Sequence, residues 1–137
     1  MPQKFYSLVR CLLLTAMASA ANGQGLCESV AGARLLAQDD QNTFLGTISR
    51  PSDPESIFNA VGIYGSPESQ LSIWNRYGRF GSEFSAYSPH NAVAVTPPRL
   101  VREGRLVGYL SKNPAISAIT PDLLRERCRR SLARPAD

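Results

Sequence analysis

Ser56-Ile57-Phe58-Asn59-Ala60-Val61-Gly62-Ile63-Tyr64-Gly65-Ser66 returns sixteen residues later as Ser72-Ile73-Trp74-Asn75-Arg76-Tyr77-Gly78-Arg79-Phe80-Gly81-Ser82. A third, decayed copy opens with Ser88-Pro89-His90-Asn91 and carries Ala94 where the others have glycine. A fixed period means one structural unit stacked on itself. Asp53 before Pro54 and Ser66 before Pro67 resemble helix N-caps with proline at the first helical position. Gly62 and Gly78 stand where a left-handed residue would end a short helix. The sequence therefore predicts short helical turns over 53–95, each followed by a glycine-hinged extended piece. Ile57 with Phe58, and Ile73 with Trp74, are expected to wedge each turn against a sheet. Asn59, Asn75 and Asn91 are expected to close turns by bonding nearby backbone. So much glycine, proline and serine also suits a disordered segment, but the regular aromatic anchors favour order.

The repeat is flanked by two segments that read as copies of one β-hairpin. In residues 34–49, Arg34-Leu35-Leu36-Ala37 leads through Gln38-Asp39-Asp40-Gln41-Asn42 into Thr43-Phe44-Leu45-Gly46-Thr47-Ile48-Ser49. In residues 99–111, Arg99-Leu100-Val101-Arg102 leads through Glu103-Gly104 into Arg105-Leu106-Val107-Gly108-Tyr109-Leu110-Ser111. The correspondence sets Leu35 with Leu100, Leu36 with Val101, Phe44 with Leu106, Gly46 with Gly108 and Ile48 with Leu110. Short apolar runs between turn residues are strand signals. Gly46 and Gly108 in mid-strand point to a bulge or a close backbone approach. Four such strands predict an antiparallel sheet or a small barrel.

Thr120-Pro121-Asp122 is a helix start, with a cap, a proline and an acid in order, and it predicts a helix over 120–133. Leu124, Cys128 and Leu132 recur every four residues and would face inward, while Arg125, Arg129 and Arg130 lie on the opposite side. At the other end, Lys4 and Arg10 precede the apolar run Cys11 to Ala18 and the small residues Ala18-Ser19-Ala20-Ala21. This pattern reads as a secretory signal over 1–21, too short for a membrane span, and leaves residues 22–137 as a single exported domain. Removing it discards Cys11 and leaves Cys27 and Cys128, which an oxidising compartment would join. The class is thus α+β: two pseudo-equivalent hairpins, central short helical-turn repeats, a carboxyl-terminal helix and one disulfide.

Two of the fifteen Lys and Arg residues fall in the leader and none of the eleven Asp and Glu do, so the mature chain is only mildly basic. That balance and the lack of an aromatic-basic RNA or DNA motif argue against nucleic acid.

The repeat units, Pro97-Pro98 and Val107-Gly108-Tyr109-Leu110 together resemble a family of small secreted bacterial proteins of uncharacterised function with tandem Ser-Ile-Phe-Asn and Tyr-Gly-x-Tyr-Gly-Ser units. The likeness runs from about Leu35 to Cys128. It departs at Val61, where the second unit has Tyr77, and at His90 in the aromatic column. The resemblance implies export and a shared fold, and brings no reaction or ligand.

Candidate chemistry is sparse. His90 is the single histidine, and its place in the column of Phe58 and Trp74 suits packing better than catalysis. There is no Gly-x-Ser-x-Gly elbow, one histidine with two paired cysteines makes no tetrahedral metal site, and Asp39, Asp40 and Asn42 read as a hairpin turn. No cofactor is expected. Asp53, Glu55, Glu68 or Glu83 could in principle supply paired carboxylates for glycan hydrolysis, though acids beside a first-turn proline are explained as dipole partners. Arg76, Tyr77, Arg79, Phe80 and Tyr87 mix arginine with aromatics, a composition enriched at interaction surfaces. They form the candidate binding surface. The reading is a non-catalytic binding or interaction module of the bacterial envelope or exterior, its partner another envelope protein or a glycan. The alternatives are a carboxylate-dependent hydrolase acting on envelope glycans, or an inhibitor or structural partner of another exported protein.

Overall fold

The structure, a computed structural model, describes residues 23–135. The signal segment expected over 1–21 lies outside the described residues. The elements run α1 (Gly23–Val30), β1 (Arg34–Leu36), β2 (Phe44–Thr47), β3 (Arg99–Arg102), β4 (Arg105–Tyr109) and α2 (Pro121–Ala133). The strands form one antiparallel sheet in the order β2-β1-β3-β4, so the sheet is open and not a barrel.

The duplication seen in sequence is repeated in the register. Leu35 pairs with Leu100, its own counterpart, and Arg34↔Val101 and Leu36↔Arg99 lie symmetrically about it. Within the hairpins, Arg34↔Thr47 and Leu36↔Phe44 are matched by Arg99↔Tyr109 and Val101↔Leu106, with a register shift in each. The Ile48 amide donates to Ala33 O at 2.9 Å, as Leu110 does to Pro98 O at 3.0 Å. Each hairpin then receives a parallel bridge from the chain that follows it, Thr47↔Ser56 and Leu110↔Ile119. The hairpin tips differ. Glu103 and Gly104 have φ of 52° and 76°, two successive positive values that suit a tight two-residue turn with the strand twist. The longer first turn is held by Asp39, whose carboxylate accepts from the Thr43 amide at 2.9 Å and the Thr43 hydroxyl at 2.5 Å.

Between β2 and β3 neither helix nor strand forms. The chain instead takes consecutive turns. The amides of residues 53, 56, 59 and 62 each donate to the carbonyl three positions back, Ser66 reaches four back to Gly62, and the cycle restarts through 69, 72, 75 and 78. Ser82 again reaches four back, to Gly78, and 85, 88, 91 and 94 complete a third round. Four steps of three and one of four make the sixteen-residue period. Side chains explain where the steps fall. An Asp, Ser or Asn at the start of a triplet accepts from the amide two residues on, as in Trp74 N to Ser72 Oγ at 3.0 Å and Tyr77 N to Asn75 Oδ1 at 3.0 Å. Gly62 and Gly78 have no such oxygen, and there the step lengthens.

This differs from the expected helical turns with extended hinges. Gly62 and Gly78 are not left-handed; the positive-φ glycines are Gly32, Gly46 and Gly104. Within the coil, the positions that tolerate no side chain are Gly65 and Gly81, where a Cβ would overlap the backbone carbonyl of Asn59 or Asn75. Pro54, Pro67 and Pro89 each follow the first residue of a triplet, where a fixed φ suits a turn as well as it suits a helix start. The asparagines close turns as expected and do more. Asn59, Asn75 and Asn91 each donate from Nδ2 to the carbonyl six residues back, at 3.2, 3.0 and 3.0 Å, lacing two turns together.

The core joins all parts. Leu35, Leu45, Ile48, Leu100 and Leu110 from the sheet meet Ile57, Ile73 and Phe80 from the turn coil and Leu124 from α2. Thr120 caps α2, accepting from the Leu123 amide at 3.2 Å, and Leu124 and Cys128 are fully buried on one face as the four-residue spacing requires. Helix α1 was not legible beforehand: Gly-Gln-Gly-Leu opens with two poor helix formers. It is held by packing on α2 and by the Cys27–Cys128 disulfide, whose Cα atoms are 5.3 Å apart. Among the described residues no helix is long and apolar enough to cross a membrane.

Candidate functional site

One broad cleft, of about 970 Å³, opens between the turn coil and α2. Its floor is an aromatic column built by the period. Phe58, Trp74 and His90 occupy equivalent places in successive rounds, and the Trp74 and His90 rings meet edge to face at 5.7 Å. Trp74 Nε1 donates to Ile57 O at 2.6 Å, and the His90 ring faces the carbonyl of Ile73, the equivalent residue one round on. Trp74 thus uses its polar edge to bind the round before it. Burial, reinforced by the positive charge of Lys112, pushes the His90 pKa down to about 4, so the ring is neutral at ordinary pH. Its Nε2 is buried with no hydrogen-bond partner among the described residues.

Helix α2 supplies the opposite wall. The Arg125 guanidinium lies over the Trp74 ring, 3.5 Å from its centroid, and Arg129 lies one helical turn further along the same wall. Burial, then the like charge of Arg129, lowers the pKa of Arg125 from its usual value. At the helix start Lys112 and Asp122 pair at 2.9 Å, and the hydrogen bond from Lys112 holds the Asp122 carboxyl below the usual range. The rim carries Arg76, Glu83 and two aromatic rings in the open, Tyr77 at 98% and Phe84 at 86% exposure.

The five residues of the candidate surface do not stay together. Arg76 and Tyr77 line the cleft. Arg79, Phe80 and Tyr87 do not: Phe80 is a core residue, and the Arg79 guanidinium sits over the Tyr87 ring at 4.6 Å and pairs with Asp39 at 3.6 Å. The sequence mixture of arginine and aromatics therefore divides into a solvent-facing half and a structural half. Triplet turns cause the split, because successive residues of one round point to different sides of the coil. Arg79 ties the coil to the tip of the first hairpin. Asp39 answers it from a buried carboxylate: burial raises its pKa, but the Thr43 bonds and the Arg79 charge outweigh this and leave it lowered.

Arg125, Arg129, Lys112 and Phe84 line the cleft and lie outside the candidate surface read from sequence. Arg125 and Arg129 are expected on the solvent side of α2 and both are exposed, but the packing of that helix sets Arg125 over Trp74 and leaves Arg129 on the cleft wall. Of the four acids considered for hydrolysis, Glu83 alone lines the cleft. Comparison with family models, with curated proteins and with solved structures finds no match for this chain.

Proposed function

We propose that the chain is an exported, non-catalytic binding module of the bacterial envelope or exterior, and that its ligand sits in the cleft between the turn coil and α2. The observation that carries this reading is the placement of fully exposed Tyr77 and Phe84 beside Arg76, Arg125 and Arg129 on one concave surface. Large rings held in water cost free energy unless a partner covers them, and aromatics with arginine are the residues that dominate binding hot spots. Export is supported by the covalent link between the two ends of the domain, which survives in an oxidising compartment. A glycan hydrolase finds less support, since the cleft acids are Glu83 and the lysine-paired Asp122.

A second reading rests on a different observation. Val61, Tyr77 and Val93 are equivalent residues of the three rounds, exposed by 93, 98 and 79%, and form an apolar ridge suited to an exported protein partner. Site-specific photo-crosslinking in the native envelope separates the two. A crosslinker at Phe84, on the cleft rim, should capture the ligand while one at Val93, on the ridge alone, stays silent. Capture from Val93 with silence at Phe84 would favour the ridge and remove the cleft as the ligand site.

A further inference from the structure

The cleft has a charge character that narrows its ligand. Arg76, Arg125 and Arg129 line it, and none of the three has a carboxylate within ion-pair distance among the described residues; the ion pairs there are Lys112–Asp122 and Arg79–Asp39. With Lys112 committed to Asp122, Glu83 is the one acid left against three guanidiniums. The Arg125 guanidinium is also stacked on the Trp74 ring, with Arg129 as its like-charged neighbour. Two guanidiniums one helical turn apart repel each other, and fixing them on one wall is unfavourable unless an anion bridges them. The planar fork of arginine is suited to grip a carboxylate with two parallel bonds.

The remaining features concern shape. The cleft is broad, and two of the rings that line it, Tyr77 and Phe84, stand exposed to solvent, offering flat faces and not an enclosed apolar pocket. Flat exposed rings beside polar groups suit a ligand that is itself ring-shaped, with an apolar face and a polar edge. We propose that the cleft binds an acidic saccharide, with sugar rings against Tyr77 and Phe84 and ring carboxylates on Arg125 and Arg129. This rests on the cleft being the ligand site, and it adds the chemical class of what is bound.

Trp74 is the single tryptophan of the chain, so its emission reports on the cleft directly. Alginate oligosaccharides serve as the carboxylated probe, with neutral dextran oligosaccharides of the same length and inorganic phosphate as the other arms, each followed by Trp74 fluorescence and by titration calorimetry on the disulfide-intact protein. Alginate should give a saturable change that weakens about tenfold or more in Arg129→Gln and on raising the salt, as expected for anion recognition. Arg129 is exposed, so circular dichroism of this variant should match the parent. Arg125→Gln should weaken binding as well and shift the resting Trp74 emission. The proposal fails if alginate gives neither signal nor heat, if Arg129→Gln binds it unchanged, or if phosphate alone acts as strongly, which would make this a bare anion site. Dextran binding that ignores Arg129→Gln would overturn the acidic class and leave the cleft as a binding site. Absence of every saccharide signal together with a silent crosslinker at Phe84 would overturn both readings.

Discussion

Gly46 and Gly108 occupy equivalent places in the two hairpins yet answer to different constraints. Gly46 has φ of +109°, and a Cβ there would lie 2.7 Å from Tyr64 Cβ and 2.8 Å from Glu55 O, because the first round of the coil packs against β2 there, bridged in parallel at Thr47 and Ser56. At Gly108 the nearest atoms are side-chain methyls at 3.9 and 4.0 Å, and the residue sits beside the β3–β4 register shift. Gly46→Ala should therefore cost about 2 to 3 kcal/mol in urea denaturation, while Gly108→Ala should change stability by under about 0.5 kcal/mol. Asn75 offers a second test of this kind. Its Oδ1 accepts from Tyr77 N and its Nδ2 donates to Ser69 O, both at 3.0 Å. Asn75→Asp keeps the acceptor, removes the donor and sets a carboxylate against a carbonyl, so it should cost about 2 kcal/mol despite equal size. An aspartate variant as stable as the parent would show that the lacing bond contributes little.

At the scale of the elements, the turn coil is held by side chains where a helix or sheet would use regular backbone ladders. Ser56, Ser72 and Ser88 are fully buried at equivalent places, each satisfying the amide two residues on, so the coil can bury its inner face without orphaned donors. His90 ends the aromatic column and makes the coil sensitive to acid. In the unfolded chain it takes up a proton as pH falls through about 6.5, whereas burial delays this to about 4 in the folded protein. Its contribution to stability is complete above 6.5, declines as pH falls toward 4, and falls no further below that value. For a part-exposed ring this amounts to about 1 to 2 kcal/mol. His90→Phe, which copies Phe58, should flatten the melting temperature between pH 6.5 and 4. Asp39 and Asp122, both lowered, would still give a loss at lower pH.

At the scale of the whole molecule, α1 and α2 bring the two ends of the domain together beneath the duplicated sheet, and the disulfide closes a separation of 101 residues. Chain-entropy reasoning assigns such a loop about 4 to 5 kcal/mol, a large share of the stability of a small domain. A Cys27→Ser, Cys128→Ser double variant should lose about that much in denaturant unfolding. Hydrogen exchange should then rise first in α1, whose own sequence favours helix weakly. Equal protection of α1 in the parent and the variant would mean that packing on α2 suffices.

Much of this architecture was legible in the chain. The sixteen-residue period, the hairpin copies and the capped helix that buries Cys128 are written in local chemistry: serine, asparagine and glycine act on backbone within six residues of themselves, and apolar spacing reports which face is buried. Local chemistry also misled in one respect, since a proline after a capping residue serves a turn triplet as readily as a helix start, and only the hydrogen-bond pattern tells the two apart. What neighbouring residues do not encode is which distant surfaces meet. That Arg79 turns to Asp39 while Arg76 faces the cleft, that Arg125 covers Trp74, and that Gly46 must admit the adjacent coil all depend on how the coil, the sheet and α2 pack. Turn chemistry thus determined the repeating unit. The site came only from closing two remote segments on each other, because its energy lies in contacts between residues about forty to fifty positions apart in the chain.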